Sequence, residues 1–189
     1  MNTKRLLCLI STSLLLTACN CDRSLLQAAA DADSAAVNLA LKYGANPNTT
    51  LSPGETALGL LLNQYKQSDA VRRSRIEQNV LALLMAGADA NALHHGYTPL
   101  QIAAGQGSES LVTHLLAYGA NPSLETRAGL APIWQCVHEN DYRISLLLLS
   151  AGANPNALNA AGQTPLQYLR SCGFLKTPLM LQLRQYGGH

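Results

Sequence analysis

"YGANPNTT", Tyr43 to Thr50, closes an apolar run with a glycine and then turns sharply. Near-copies return as "MAGADANA" (Met85 to Ala92), "YGANPSLE" (Tyr118 to Glu125) and "AGANPNAL" (Ala151 to Leu158). A second glycine follows each corner, at Gly54, Gly96, Gly129 and Gly162, and the last two steps between these are both 33 residues. A fixed period of this length marks one supersecondary unit copied along the chain, so stacking of units sets the architecture.

Each unit parses alike. Thr-Pro or Ala-Pro starts a short helix, as in "TPLQIAAGQG", with the proline in the first turn where its missing N–H is not needed. A second helix follows, "SESLVTHLLAYG", with Leu111, Val112, Leu115 and Leu116 spaced for one buried side and a glycine where the chain leaves helical geometry. A projecting turn completes the unit. This helix, helix, finger order, marked by "TPLQIAA" and "LLAYGANP", resembles the ankyrin repeat, whose pattern is T-P-L-H-x-A at a period of about 33.

The resemblance runs from Leu25 to the end. It implies an all-α ankyrin-repeat solenoid of about five helix-turn-helix units with projecting β-turn fingers, at about 24–53, 54–95 with an insertion, 96–128, 129–161 and 162–189. Two departures bear on loop geometry. Gln27, Gln101, Trp134 and Gln167 stand where the family has histidine, and Ala131 replaces the threonine of the fourth unit. In ankyrin repeats these residues tie neighbouring turns. The second unit is also long: Gly54 to Gly96 is 42 residues, with the excess between its two helices in "NQYKQSDAVRRSRIEQ". Longer connections cost little entropy, so Tyr65 to Arg75 reads either as an added contact ridge or as a solvated excursion. The last unit lacks a following finger and reads as a leucine-rich terminal cap.

The N-terminus addresses the chain. Lys4 and Arg5 precede an apolar stretch, Leu6 to Leu16, too short for an ordinary membrane span, and "LTAC" (Leu16 to Cys19) supplies a small-residue exit. This resembles a bacterial lipoprotein signal peptide over 1–18, with Cys19 carrying the lipid and 19–23 a short tether to the repeat domain 24–189. The alternatives are a plain signal peptide or an uncleaved anchor. The resemblance implies the periplasmic side, and Asn20 in place of an aspartate favours the outer over the inner membrane. With Lys4 and Arg5 removed, the 13 Lys and Arg against 11 Asp and Glu become 11 against 11, which leaves no basic field for nucleic acid. "RRSR", Arg72 to Arg75, is short and flanked by Asp69 and Glu77, and reads as a solvated helix face.

Catalysis and cofactors find no support. A nucleophile needs a base and an orienting group, yet the five histidines, His94, His95, His114, His138 and His189, sit in no catalytic or zinc-site pattern. His114 is expected on the outer polar face of its helix. Cys136 is expected to be a buried small hydrophobe, and Cys21, Cys136 and Cys172 to be free thiols. No metal or cofactor is expected.

What remains is a surface. The ankyrin resemblance implies partner binding on the concave face of fingers and first helices, here Asn63 and Gln64; His94, His95, Tyr97 and Gln106; Glu125, Arg127, Leu130, Trp134, His138 and Glu139; then Leu158 and Gln163. Tyr97, Arg127 and Trp134 are of the types that dominate hot spots. Trp134 reads equally as a plug between repeats, whereas His94, His95 and Tyr97 are the first expectation for contact. The expected protein is a non-catalytic, monomeric, lipid-anchored binding module. It would capture or mask a protein, most concretely as an immunity protein neutralising a toxic effector, with scaffolding of an envelope enzyme as the alternative.

Overall fold

The computed structural model describes residues 21–50, 54–126, 129–174 and 177–189. Cys19, the 1–18 segment and Arg127 lie outside them. Within them the chain is an all-α solenoid. Residues 21–31 are helical (α1), followed by α2 (Ser34–Lys42), α3 (Ala57–Gln64), α4 (Ala70–Met85), α5 (Pro99–Gly105), α6 (Glu109–Ala117), α7 (Ile133–Glu139), α8 (Tyr142–Ser150), α9 (Pro165–Ser171) and α10 (Pro178–Gln185). First helices stack as α3 on α5 on α7 on α9, and second helices as α2 on α4 on α6 on α8 on α10. Between the two layers runs one core, including Leu61, Ile76, Leu100, Leu111, Ile133 and Ile144. The last unit places exposed Gln167, Arg170 and Arg184 where its neighbours bury Trp134, Val137 and Leu149, a polar far face of the kind that terminal repeats carry.

The helices begin where the sequence supplies caps. Thr98 Oγ1 accepts from Gln101 N while Gln101 Oε1 accepts from Thr98 N, a reciprocal capping box repeated by Thr164 and Gln167. Thr56 and Thr177 cap α3 and α10, and Asp33, Asp69, Ser108 and Asp141 cap the second helices. Only α7 of these helices begins without a side-chain cap, because Ala131 offers no oxygen.

The recurrent corner is a polar ladder. The first Asn or Asp of each corner folds back on its own loop: Asn46, Asp89, Asn121 and Asn154 accept from the N–H two residues on, at 2.8–3.0 Å. The second reaches into the next unit. Asn48 Nδ2 donates to Gly87 O at 3.0 Å and its Oδ1 accepts from Asp89 N at 2.7 Å. Asn91 does the same to Gly119 O and Asn121 N, Ser123 to Gly152 O and Asn154 N, and Asn156 to Gly187 O and His189 N. Asp22 starts the ladder by accepting from Asn46 N at 2.6 Å. The glycine is needed because its carbonyl turns outward only with φ near +90°, as at Gly87 (+91°), a conformation that L side chains rarely adopt.

A second set of ties uses one register position of the first helices, 59, 101 and 134, and different side chains fill it. Gln101 also donates Nε2 to Leu130 O of the next finger. Trp134 is 1% exposed and donates Nε1 to Ala157 O at 3.1 Å. The second unit has Gly59 there, and His94 from the following finger fills the space. Its Nδ1 accepts from Thr56 N at 3.2 Å, and a Cβ on Gly59 would lie 2.1 Å from His94 Cγ. This departs from the expectation that His94 is a contact residue: at 2% exposure it belongs to the frame. Trp134 resolves as the plug. Gln101 and Trp134 thus make the ties that the ankyrin resemblance assigns to a histidine.

The insertion is mostly helical, after a five-residue connection at 65–69. It lengthens α4 to 16 residues against 9 for α2, α6 and α8. Its base is braced: Tyr65 Oη donates to Glu77 at 2.6 Å, Arg72 Nη2 to Gln64 Oε1 at 2.6 Å, and Arg73 to Tyr65 O and Lys66 O at 3.2 and 3.1 Å.

Two measurements test this frame. Asn91→Ala removes two bonds between units, each worth about 0.5–1.5 kcal/mol net, so urea unfolding should show a loss of about 1–3 kcal/mol, whereas Asn63→Ala on the exposed face stays within about 0.5 kcal/mol. His94 supplies a pH signature. Burial first, and the charge of His95 second, lower its pKa, with Glu55 opposing. The fold therefore favours the neutral ring, whose Nδ1 accepts. That stability is whole above the unfolded value of about 6.5 and is lost as pH falls from there toward the lowered folded value. The urea midpoint of the wild type should drop over that window, and His94→Gln should flatten much of the drop; an unchanged slope in His94→Gln would assign it to other groups.

Candidate protein-contact face

The exposed side chains of the fingers and first helices fall into two clusters at opposite ends of the first helices, about 10 Å long for seven residues. The finger cluster is built on a tight hairpin. His94 and Tyr97 exchange backbone bonds at 2.9 and 3.0 Å around the two-residue turn His95-Gly96, both at positive φ (+49° and +86°). That turn lifts His95 and Tyr97 into solvent, Tyr97 at 49% exposure. His95 Nε2 lies 3.7 Å from Glu55 Oε1. In the next finger Glu125 is exposed, while Leu130 is half-buried and packs on the core. Leu158 is exposed further along.

The second cluster lies at the C-terminal ends of the first helices. Gln106 Oε1 accepts from Lys66 N at 2.8 Å, and Lys66 Nζ lies 3.7 Å from Glu139 Oε1. The insertion thus reaches across the third unit to the fourth and joins the face by its Lys66. Gln64 is engaged with Ala29 O of the first unit. Next to these, exposed His138 leans on Tyr168 with ring centroids 5.7 Å apart, and both rest on Trp134 at 6.1 and 5.7 Å. The neighbouring Cys172 thiol holds the Tyr168 phenol above its ordinary pKa.

The expected residues therefore divide. His95, Tyr97, Glu125, His138 and Glu139 are exposed; Gln106 and Leu130 are half-buried; His94 and Trp134 are taken up by the frame. His114 is half-buried, its Nδ1 enclosed without a hydrogen-bond partner among the described residues, and not on an outer polar face. Tyr168 was missed as a face residue, and Lys66 was named only as part of the Tyr65 to Arg75 segment. Tyr168 follows Gln167 in the row of Ile102 and Gln135, a register that could have placed it. Lys66 had no such signal, since its position depends on how the insertion folds.

Little in the face is suited to bond-making chemistry. Cys136 is fully buried, its thiol pushed well above the ordinary range by burial first and Asp141 second, so it is no nucleophile. Among the described residues no group of three or more His, Cys, Asp or Glu is placed to hold a metal ion, and no helix is long and apolar enough to cross a membrane.

Comparison with known proteins matches the family described as ankyrin repeats (3 copies) over residues 25–126 and again over 68–159. The mitochondrial disaggregase of Bos taurus is 32% identical over 145 residues, covering 57% of this chain and 21% of that protein. BCL-6 corepressor-like protein 1 of Homo sapiens is 29% identical over 131 residues, covering 67% of this chain and 7% of that one. The ankyrin repeat and KH domain-containing protein mask-1 of Caenorhabditis elegans is 38% identical over 60 residues, 32% of this chain and 2% of that one. The chain spans about a fifth of the first of these relatives and under a tenth of the others. The profile match, the clamped corners and the stacked helix pairs agree: the chain belongs to the ankyrin-repeat family, whose fold is typically a non-catalytic protein-interaction module.

Proposed function

We propose that the chain is a lipid-anchored module on the periplasmic side, at the outer membrane, that captures or masks a protein partner, most concretely as an immunity protein neutralising a toxic effector acting there. The observation that carries the binding reading is the finger cluster: a buried His94 fixes the turn that holds His95 and Tyr97 out in solvent. A rigid, exposed aromatic loses little conformational freedom on docking, which is where tight interfaces gain. The anchor reading rests on "LTAC" ending an apolar run. The described residues are helical from Cys21, two positions after Cys19, so a lipid on Cys19 would hold the first unit close to the membrane.

Two outcomes are expected. Cys19→Ala leaves the protein without lipid label and out of the membrane fraction; unchanged labelling and fractionation would remove the anchor. Cross-linking the full chain in its native cell should trap one protein, and Tyr97→Ala should weaken that capture about tenfold or more with the melting temperature unchanged. A secreted toxin as the trapped protein supports neutralisation, whereas a resident envelope enzyme assigns scaffolding instead.

A further inference from the structure

The first six residues of α4, Ala70 to Arg75, are all exposed, and burial of this helix begins only at Ile76. They precede the point where α2 and α6 start, so about 9 Å of helix projects beyond the stack as a spur. Two turns that bury no apolar side gain nothing from packing, the usual source of helical stability in proteins. The charges do not explain the spur either. Arg72, Arg73 and Arg75 lie near the N-terminal end of α4, where the helix dipole disfavours cations.

The local carboxylates are occupied elsewhere. Asp69 caps α4 through Arg72 N at 2.7 Å, and Glu77 accepts from Tyr65 Oη. Among the described residues none of the three arginines has a carboxylate within ion-pair distance. Arg72 and Arg73 are instead held by neutral acceptors, Gln64 Oε1 and the Tyr65 and Lys66 carbonyls, and Arg73 lies over the Tyr65 ring at 5.4 Å. These contacts use only part of each guanidinium, which has five N–H donors. Arg72 and Arg73 are thus oriented cations with unused donors, beside an exposed Val71 (62%) and continuous through Lys66 with the Gln106 and Glu139 cluster, whereas Arg75 faces the first unit, where it lines a pocket with Asp31 and Asp33.

We propose that this spur is a second contact surface, which takes an acidic segment of the protein partner by charge-assisted hydrogen bonds from Arg72 and Arg73. The inference rests on the array being a protein-binding module and adds the chemistry of the partner. Guanidinium forks match carboxylates in pairs, and the ordered base lowers the entropy lost on engagement.

The probe is a fluorescent deca-glutamate peptide, titrated by anisotropy against the full chain in low and physiological salt. Arg72→Gln/Arg73→Gln should weaken binding about tenfold or more, with a shallower salt dependence, since long-range attraction between charges is what salt screens. Arg170→Gln/Arg184→Gln makes the same change in net charge elsewhere and should weaken it less than about twofold. Amide shift perturbations in the wild type should concentrate in 64–75, a readout independent of whether the double variant folds. Equal losses in the two variants, perturbations spread over the whole surface, or absence of peptide binding would each overturn the proposal. Binding to vesicles of phosphatidylglycerol in phosphatidylcholine without binding to the peptide would assign the spur to a membrane surface instead. Capture through Tyr97 is read separately, so failure here leaves the finger reading standing.

Discussion

The clamp from each corner's second polar residue to the next corner is the interaction on which the stack depends. A solenoid unit cannot bury its own apolar faces, so something must fix the register of one unit on the next while the core between them remains non-directional. Asn48, Asn91, Ser123 and Asn156 do this by pairing a carbonyl and an N–H of the following unit. Because each rung engages groups that the next corner must present identically, the corner is repeated nearly unchanged. The glycine before it is part of the same constraint, since only that backbone turn presents the carbonyl.

The first-helix ties show how much freedom the constraint leaves. One position in the frame is filled by glutamine in the third unit, tryptophan in the fourth, and in the second by a glycine that admits a histidine from the neighbouring finger. What is held constant is a polar bridge across the junction, not a residue. The exchange in the second unit is the most constrained of the three, since His94 and Gly59 are sized to each other, and that closeness makes the junction sensitive to protonation.

Much of the fold was legible because its signals are periodic. Spacing located the corners, and Thr-Pro located the first helices where Thr98 and Thr164 do cap them. The face was less legible because exposure depends on who fills a neighbour's gap. Nothing local to His94 announces that it is buried; the cause is the missing side chain at Gly59, 35 residues earlier. Trp134 and Tyr97 are both aromatic in register-matched units, yet one meets the next corner and the other follows a two-residue turn into solvent. The insertion was unreadable for a different reason: its length was plain, but whether it became loop or helix turned on Asp69 capping α4 through Arg72 N and on Tyr65 bonding Glu77.

These observations separate the frame from the surface it displays. With 13 basic and 11 acidic residues, a net charge of +2, the chain has little long-range field to draw a partner in. Selectivity must then come from local charge. At physiological salt charges are screened over about 8 Å, comparable to the reach of a spur standing about 9 Å clear of the stack. Arg72 and Arg73 on it have no carboxylate within ion-pair distance among the described residues, whereas Arg75, nearer the stack, lines a pocket with Asp31 and Asp33. Projection lets a solenoid of low net charge present a cationic feature at one edge without altering the corners that hold it together.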